Sequence, residues 1–351
     1  MRIGVMTGGG DCPGLNAVIR AVVRKSIVDF GHECVGIMQG WKGLVECLTC
    51  ELNLRSISGI LPRGGTILGT SRTNPFSKAH YKEHAPQKIL DNWQRVGLDA
   101  LIAVGGDDTH AVSYELSKMG LSIVGVPKTI DNDIRGTEYT FGFDTAVHVA
   151  SEAIDRVHST AESHHRVIVV EVMGRRTGWI ALYSGIAGGA DVVIVPEFEV
   201  TLAEICDMIK KRHARGKSFS ICVVAEGARI NFGGSPEARE VTIDQSIDEF
   251  GNVRLGGIGQ RLAREIEREL KFETRFTVLG HVQRGGTPTA FDRVLGTRFG
   301  IKAAELVHKR QFGRMVALQN NEIVSIPFSE TIGTPKYVTE EWYDVARTFF
   351  G

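Results

Sequence analysis

Acidic residues follow two apolar, Val- and Ile-rich runs of the chain, at the points where those runs end. Asp107 and Asp108 come directly after a pair of glycines, and Asp131 and Asp133 follow the next run. Adjacent carboxylates beside glycines suit a divalent cation that also touches phosphate oxygens. The alternative is a helix N-cap, which would need only one such residue. The pair therefore favours a metal–phosphate site.

A lysine accompanies the second acidic group, in the segment of residues 127–133. If this segment is extended, Asp131 and Asp133 face the same side. A carboxylate there could take a proton from a substrate hydroxyl, and Lys128 could stabilise charge on a transferring phosphoryl group. An Asx-rich turn is the alternative. It is the weaker interpretation, because several acidic or amide groups and a lysine gather at one strand end.

Glycines end the first apolar run, in the segment of residues 7–14, which also opens a helical pattern. Glycine lets backbone N–H groups approach a phosphate, and a helix N-terminus favours negative charge. Pro13 stands where the last glycine of the dinucleotide-binding fingerprint would fall, and the chain contains no P-loop sequence. Both observations disfavour a nicotinamide-dependent dehydrogenase and a P-loop kinase.

Arginines stand near the ends of further apolar runs: Arg166, Arg175, Arg275 and Arg284. The guanidinium group suits bidentate binding of a phosphate monoester. A single such arginine would more often be a solvated surface residue. Lys and Arg together number 41, as do Asp and Glu, so no overall charge attracts nucleic acid or an anionic membrane. Several arginines at strand ends of a neutral chain predict a local anion pocket.

Short apolar runs alternate with helical stretches along the 351 residues, which predicts an α/β protein with parallel sheets covered by helices. The length suits two domains. The clearest helical stretches are residues 14–30 and 146–161. The clearest strand runs are residues 2–7, 33–38, 99–104, 121–126, 166–172, 191–195, 218–225 and 275–280.

No apolar run approaches the roughly 20 residues that span a bilayer, and the N-terminus enters a strand pattern directly, which leaves no room for a signal peptide. The six cysteines are scattered, which is typical of a reduced, cytoplasmic protein. Cys47 and Cys50 form a lone CxxC, and we interpret them as two ordinary thiols.

Together these segments resemble the phosphofructokinase family. The motifs lie in the family's order between residues 8 and 286, about four fifths of the chain: Gly9-Gly10-Asp11 with Pro13-Gly14, Gly64-Gly65-Thr66, Gly69 with Arg72, Gly105-Gly106-Asp107, residues 129–133, Met173-Gly174-Arg175, Glu226-Gly227 and His281-Val282-Gln283-Arg284-Gly285-Gly286. The resemblance implies two doubly wound lobes with the active site in the cleft between them. Residues 1–141 plus about 284–337 would form the donor lobe, and residues 142–283 plus about 338–351 the fructose 6-phosphate lobe.

The resemblance also implies a role for each matching residue. Asp131 corresponds to the base that activates the 1-hydroxyl of fructose 6-phosphate, and Asp107 to a Mg²⁺ ligand. Gly10 and Arg72 correspond to contacts with the donor phosphates. The sugar-phosphate contacts implied within the chain are Thr129, Ile130, Asp131, Met173, Gly174, Arg175, Glu226, His281, Val282, Gln283 and Arg284. Arg166 and Arg275 match residues that the family supplies from a neighbouring subunit, which predicts a homodimer or homotetramer.

Two positions predict the phosphoryl donor. ATP-dependent members typically have glycine where this chain has Asp108, and many have glycine where it has Lys128. A carboxylate beside the α-phosphate of a nucleotide would be a like-charge contact. The resemblance therefore predicts pyrophosphate as donor, in a reversible reaction of glycolysis and gluconeogenesis. The alternatives are an ATP-dependent phosphofructokinase, a lipid or NAD kinase that shares the Gly-Gly-Asp motif, and a catalytically silent regulatory subunit that binds sugar phosphate.

A possible effector pocket also comes from the resemblance. Allosteric bacterial members hold effectors with arginines near the first helix, where this chain has Arg20 and Arg24. Asp191 stands where those enzymes place a longer glutamate. Because helix arginines are usually solvated, we expect no strong allosteric control.

Overall fold

The computed structural model describes residues 1–77, 85–233, 242–247 and 253–351. Its strands are β1 (Arg2–Thr7), β2 (Glu33–Ile37), β3 (Thr49–Leu52), β4 (Ala100–Gly105), β5 (Ile123–Thr129), β6 (Phe141–Gly142), β7 (Val167–Val172), β8 (Val192–Ile194), β9 (Val200–Thr201), β10 (Ser220–Ala225), β11 (Ile230–Asn231), β12 (Thr242–Ile247), β13 (Val253–Leu255), β14 (Thr274–Val278), β15 (Arg314–Gln319) and β16 (Glu322–Pro327).

The helices alternate with these strands. They are α1 (Leu15–Val28), α2 (Trp41–Glu46), α3 (Ala85–Val96), α4 (Asp107–Lys118), α5 (Phe143–His164), α6 (Trp179–Ala187), α7 (Leu202–Ala214), α8 (Ile258–Leu270), α9 (Ala290–His308), α10 (Phe328–Thr331) and α11 (Glu340–Arg347), with a 3-10 helix at Gly280–Arg284. All eight predicted strand runs and both predicted helical stretches are confirmed, to within a few residues at their ends.

The larger sheet has the strand order β16-β15-β5-β4-β1-β2-β3, with β6 paired to β5. Its centre is parallel, and each edge is an antiparallel pair, β2–β3 on one side and the hairpin β15–β16 on the other. The central strands are buried along almost their whole length, which explains why they appear in the sequence as continuous apolar runs. The antiparallel edges were not predicted.

The smaller sheet has the order β14-β7-β10-β8, and all of its pairs are parallel. One face of α5 packs into the core, since Ala146, Ala150 and Ile154 are fully buried. Helices α1 and α9 pack closely: a Cβ on Gly300 of α9 would lie 2.7 Å from the carbonyl oxygen of Val18. The α/β fold class is therefore confirmed.

All six cysteines are free thiols, which includes Cys47 and Cys50 of the CxxC. Within the part of the chain that the structure describes, the helices are too short or too polar to cross a membrane.

Candidate active site

The carboxyl ends of neighbouring strands bring the predicted site residues together. In the larger sheet, β5, β4 and β1 lie side by side, so residues 128–133, 107–108 and 8–10 meet at one edge. In the smaller sheet, β14, β7 and β10 are also neighbours, and residues 280–284, 173–175 and 226 follow them. Ligand sites of open α/β sheets form at this edge.

Contacts between the two edges close the site. Arg175 Nη1 lies 3.9 Å from Asp108 Oδ2, and the Thr177 hydroxyl donates to the carbonyl oxygen of Asp131 at 3.2 Å. Gly64 lies against the backbone of Gly286, so closely that a Cβ on Gly64 would overlap the Gly286 carbonyl. Loops from both sheets therefore line one cleft.

Residues 70 and 71 form hydrogen bonds with the backbone of the glycine turn after β1. Gly9 has φ 77°, its N–H donates to the Ser71 carbonyl at 3.0 Å, and its own carbonyl accepts from the Thr70 hydroxyl at 2.6 Å. A Cβ on Gly10 would overlap the guanidinium of Arg284. The turn thus brings the predicted donor contact Gly10 against the predicted sugar-phosphate contact Arg284, and Arg72 is the next residue after Ser71.

Lys128 lies beneath this turn. Its side chain is 4% exposed, and Nζ donates to the Gly10 carbonyl. Burial, together with the positive charges of Arg284 and Arg175, lowers the pKa of Lys128. A buried ammonium group with one backbone acceptor is well placed to interact with an anion bound above residues 8–10.

Asp107 and Asp108 begin α4. The N-cap is Gly106, so neither carboxylate acts as the cap, and the alternative explanation by capping is wrong. Burial raises the pKa of Asp107 to about 6, with a further contribution from the neighbouring charge of Asp108. A bound cation would remove this penalty.

The residues present fit a magnesium ion that is shared with substrate. Among the described residues, no three His, Cys, Asp or Glu side chains converge as a metal cluster. Magnesium is commonly held by one or two carboxylates, phosphate oxygens and water, rather than by an all-protein cage. Asp107, whose charge is disfavoured when it stands alone, is a suitable single ligand of this kind.

Residues 129–133, which contain the predicted base Asp131 and which we term the catalytic turn, differ from the extended geometry that the sequence suggested. Asn132 has φ 51°, so the expectation that Asp131 and Asp133 share a side because the chain is extended is wrong. Asp131 is 5% exposed, and its Oδ1 has no hydrogen-bond partner in the described part of the chain. Burial, and then the nearby charge of Asp131, raises the pKa of Asp133 to about 7. The charge of Asp131 therefore still acts on the Asp133 carboxyl group.

Two residues that precede Asp131 serve mainly to shape this turn. The Thr129 hydroxyl accepts the Asp131 N–H at 3.0 Å. The Ile130 side chain is 3% exposed and belongs to the core, so Ile130 offers a ligand only its backbone.

On the other side of the cleft, Glu226 supports the loop after β7. Its Oε1 accepts the Arg175 N–H at 3.0 Å, while Arg175 has φ 51° and Gly174 φ 145°. Burial, followed by the charge of Asp131, raises the pKa of Glu226 to about 7. Strained backbone of this kind persists where surrounding structure fixes it, often at functional sites.

The 3-10 helix contributes both inward and outward side chains. Gln283 is fully buried; its Oε1 accepts the Met173 N–H at 3.3 Å and its Nε2 donates to the Gly280 carbonyl. His281 and Val282 are exposed. Arg284 Nε is buried and has no hydrogen-bond partner within the described ranges, so this guanidinium retains a donor for a ligand.

Arg166 and Arg275 lie away from this cleft within one chain. They stand at the amino ends of β7 and β14, the opposite edge of the smaller sheet. Both pair with Glu273, at 2.7 Å and 2.5 Å. Within one chain they are therefore not part of this cleft, and their role in a neighbouring subunit stays a prediction.

The predicted effector residues are separate from the cleft. Arg20 and Arg24 lie on α1. Asp191 is buried, pairs with Arg212 at 2.7 Å and accepts the Ile221 N–H at 2.8 Å. Its carboxylate is thus already bound within the chain.

Lys336 was not predicted as a site residue, and it reaches the catalytic turn from the segment between α10 and α11. Its Nζ donates to Asn132 Oδ1 at 3.0 Å. No motif marks residues 332–339, and a contact across about 200 positions cannot be inferred from local pattern.

Comparison with known proteins decides the family. The sequence model described as Phosphofructokinase matches residues 2–307. The chain belongs to the phosphofructokinase family. Relatives that match over their full length are named phosphotransferases, and this chain is likewise a phosphotransferase.

Individual relatives carry two different donor names. A Streptomyces coelicolor protein named pyrophosphate–fructose 6-phosphate 1-phosphotransferase is 51% identical, and the alignment covers 100% of both chains. ATP-dependent 6-phosphofructokinase 3 of the same organism is 50% identical over 99% of both chains. The solved phosphofructokinase of Saccharomyces cerevisiae matches with a TM-score of 0.79 and 32% identity, over 99% of this chain and 46% of the yeast chain. The predicted family fold is therefore confirmed, whereas overall identity does not separate the two donors.

Proposed function

We propose that this phosphofructokinase transfers a phosphoryl group reversibly between pyrophosphate and the 1-hydroxyl of D-fructose 6-phosphate, giving fructose 1,6-bisphosphate and phosphate. The observation that carries the choice of donor is Asp108. Its carboxylate stands in the first turn of α4, next to Asp107 and 3.9 Å from Arg175. A nucleotide's α-phosphate in this position would meet a like charge, whereas pyrophosphate has no third phosphate to place there.

Lys128 supports the same choice. Its ammonium group is held against the glycine turn by the Gly10 carbonyl. Pyrophosphate has no nucleoside to anchor it, so its affinity must come from charge. Lys128 and Arg72 would supply positive charge to the donor, while the backbone N–H of Gly10 approaches its oxygens, since those of Gly8 and Gly9 donate to Val104 and Ser71.

The reaction needs little covalent chemistry from the protein. The oxygen of the sugar 1-hydroxyl forms a bond to the terminal phosphorus as the bond to the leaving phosphate breaks, and the hydroxyl proton passes to Asp131. The unpartnered Oδ1 of Asp131 is suited to accept it. Asp107 would hold Mg²⁺ together with donor oxygens, and the ion would supply charge neutralisation. Positioning and charge stabilisation account for the rest.

The sugar phosphate would lie against the loops of the smaller sheet. Residues 173–175, Glu226 and Arg284 face the cleft from that side, and Arg284 Nε has a donor to offer. Arg166 and Arg275 lie at the opposite edge of the sheet, which supports a homodimer or homotetramer in which they complete the neighbour's site. The cytoplasm stays our prediction for where the enzyme acts.

An ATP-dependent phosphofructokinase is the second candidate, because relatives with that name are 49–50% identical over nearly the full length. Steady-state turnover of fructose 6-phosphate with Mg²⁺ and either pyrophosphate or ATP separates the two. We expect turnover with pyrophosphate and weak turnover with ATP. Efficient use of ATP alone would refute the choice of donor, and silence with both donors would refute catalysis.

A further inference from the structure

Lys336 makes a saturated set of hydrogen bonds at the back of the catalytic turn. Its Nζ donates to Asn132 Oδ1 at 3.0 Å, to the Thr137 carbonyl at 3.0 Å and to the Glu138 carbonyl at 2.8 Å. A lysine ammonium has three donors, and each has an acceptor here. Such complete satisfaction fixes the position of a flexible side chain.

The group that Lys336 holds is the left-handed residue of the turn. Asn132 has φ 51°, and it lies between the two carboxylates Asp131 and Asp133. A non-glycine residue keeps this conformation when its surroundings fix it. Asn132 Oδ1 also accepts the Thr140 N–H at 3.1 Å, and the Lys336 N–H donates to the Asp133 carbonyl at 2.8 Å. Lys336 therefore holds the turn through side chain and backbone.

The same segment is attached to the smaller sheet's side of the cleft. The Lys336 carbonyl accepts from Trp179 Nε1 at 2.7 Å, and the Val338 N–H donates to Glu197 Oε1 at 2.9 Å. That Glu197 oxygen also accepts the Gly178 N–H at 3.0 Å. Gly178 ends the loop that begins with Met173, so the segment connects the catalytic turn to the loop that would hold the sugar phosphate.

We propose that Lys336 is a positioning residue, which fixes Asn132 and thereby aims the Asp131 carboxylate at the substrate hydroxyl. The inference rests on the proposed function in one respect, the role of Asp131 as base. It does not depend on whether the donor is pyrophosphate or ATP. Lys336 does not itself line the site, because its three donors are used within the chain.

The first test separates positioning from mere stability. In Lys336→Met we expect kcat to fall about 100-fold, as is typical when a reacting group is misplaced by about 1 Å, while KM for fructose 6-phosphate changes less than about threefold. The matched control is Tyr343→Phe, which removes a buried hydrogen bond to the Val193 carbonyl on the same C-terminal part of the chain but leaves the turn untouched. A comparable loss of Tm in both variants, with kcat lowered only in Lys336→Met, is expected. An unchanged kcat in a folded Lys336→Met, or an equal fall of kcat in Tyr343→Phe, would overturn the proposal.

A double-mutant cycle tests the route through Asn132. Asn132→Gly removes the Oδ1 to which Lys336 Nζ donates, while glycine adopts positive φ without steric cost, so in this background Lys336 no longer acts through the Asn132 side chain. We expect the kcat losses of Asn132→Gly and Lys336→Met to be strongly less than additive, whereas additive losses would contradict the coupling. If Lys336→Met does not fold, Lys336→Arg takes its place, because a planar guanidinium cannot direct its hydrogens at the same three acceptors.

Failure of the positioning role of Lys336 can be distinguished from failure of the proposed function. Wild-type turnover is measured first with both donors, and the cycle is run with whichever donor works. If neither works, the proposed function fails, and the crystal structure of Lys336→Met still decides the inference. Asn132 outside the left-handed region in that structure would support it, and an unchanged turn would overturn it.

Discussion

Replacement of Asp108 by glycine tests the physical reason for the choice of donor. Asp108 is about one-third exposed, and its Oδ2 lies 3.9 Å from Arg175 Nη1, which is the range of a direct contact between charged groups. Two like charges about 4 Å apart near a protein surface repel by about 4 kcal/mol. We halve this value to about 2 kcal/mol, because Asp108 is partly solvated and Mg²⁺ would neutralise part of the phosphate charge. That energy corresponds to about a 30-fold change.

We therefore expect kcat/KM for ATP to rise about 30-fold in Asp108→Gly, and kcat/KM for pyrophosphate to fall, because the ion pair with Arg175 is lost. The assay is a coupled measurement of fructose 1,6-bisphosphate formation at saturating fructose 6-phosphate, with the donor varied. Asp108→Asn is the matched control, since it removes the charge and keeps the volume. If charge repulsion excludes the nucleotide, Asp108→Asn should show most of the increase in kcat/KM for ATP. If the volume of the side chain excludes it, only Asp108→Gly should show that increase.

The reasoning would be refuted if both variants used ATP no better than wild type while retaining Tm. The Tm comparison is needed because glycine in the first turn of α4 costs roughly 0.5–1 kcal/mol of helix stability. A loss of Tm without any gain for ATP would mean that Asp108 serves the helix and not the donor site.

Two further predictions concern the carboxylates of the cleft. Asp107→Asn should weaken Mg²⁺ binding by about 30-fold, because loss of one partner of a buried charge pair costs about 2 kcal/mol or more; the rise in Tm on adding Mg²⁺ with pyrophosphate measures it, and an equal rise in the variant would contradict the metal role. Glu226 has a folded pKa of about 7, above its ordinary value of 4.5, so its ionisation opposes folding. The neutral Glu226→Gln should therefore be more stable than wild type by about 3 kcal/mol at pH 8, and this gain should fall to less than about 0.5 kcal/mol at pH 4.5. Urea unfolding at both pH values measures it, and a gain independent of pH would exclude the charge as its cause.

The parallel strands of the core were predictable from the sequence, and so was the strand end at which the site residues lie. Strands buried on both faces appear as apolar runs, and their carboxyl ends can be read directly, which places Asp107 after β4 and Glu226 after β10. The approach of these ends to one another follows from strand order, which the sequence does not state. The family resemblance supplied that part.

Other features depend on contacts that are distant along the chain or on conformations that the sequence does not mark. The left-handed Asn132 and its contact with Lys336 belong to this class. The β15–β16 hairpin is different, because a signal was present: Asn320 and Asn321 have φ 49° and 62°, the positive values that a two-residue hairpin turn requires and asparagine tolerates. Strand β15 is buried only over the short run Met315–Leu318, and β16 at the edge is only partly buried, so neither strand has the long apolar run of the central strands.

The position of β15 has a consequence for synthesis of the protein. Strand β5, which carries Lys128, pairs with β15 through Val124 and Arg314, so one side of β5 gains this neighbour only when the ribosome has added about 190 further residues. Until then, the middle of β5 is an open strand edge, which can pair with other chains. Pairings of such large sequence separation also form slowly. Activity should therefore appear only after β15 has emerged from the ribosome, and nascent chains truncated before residue 314 should aggregate through β5.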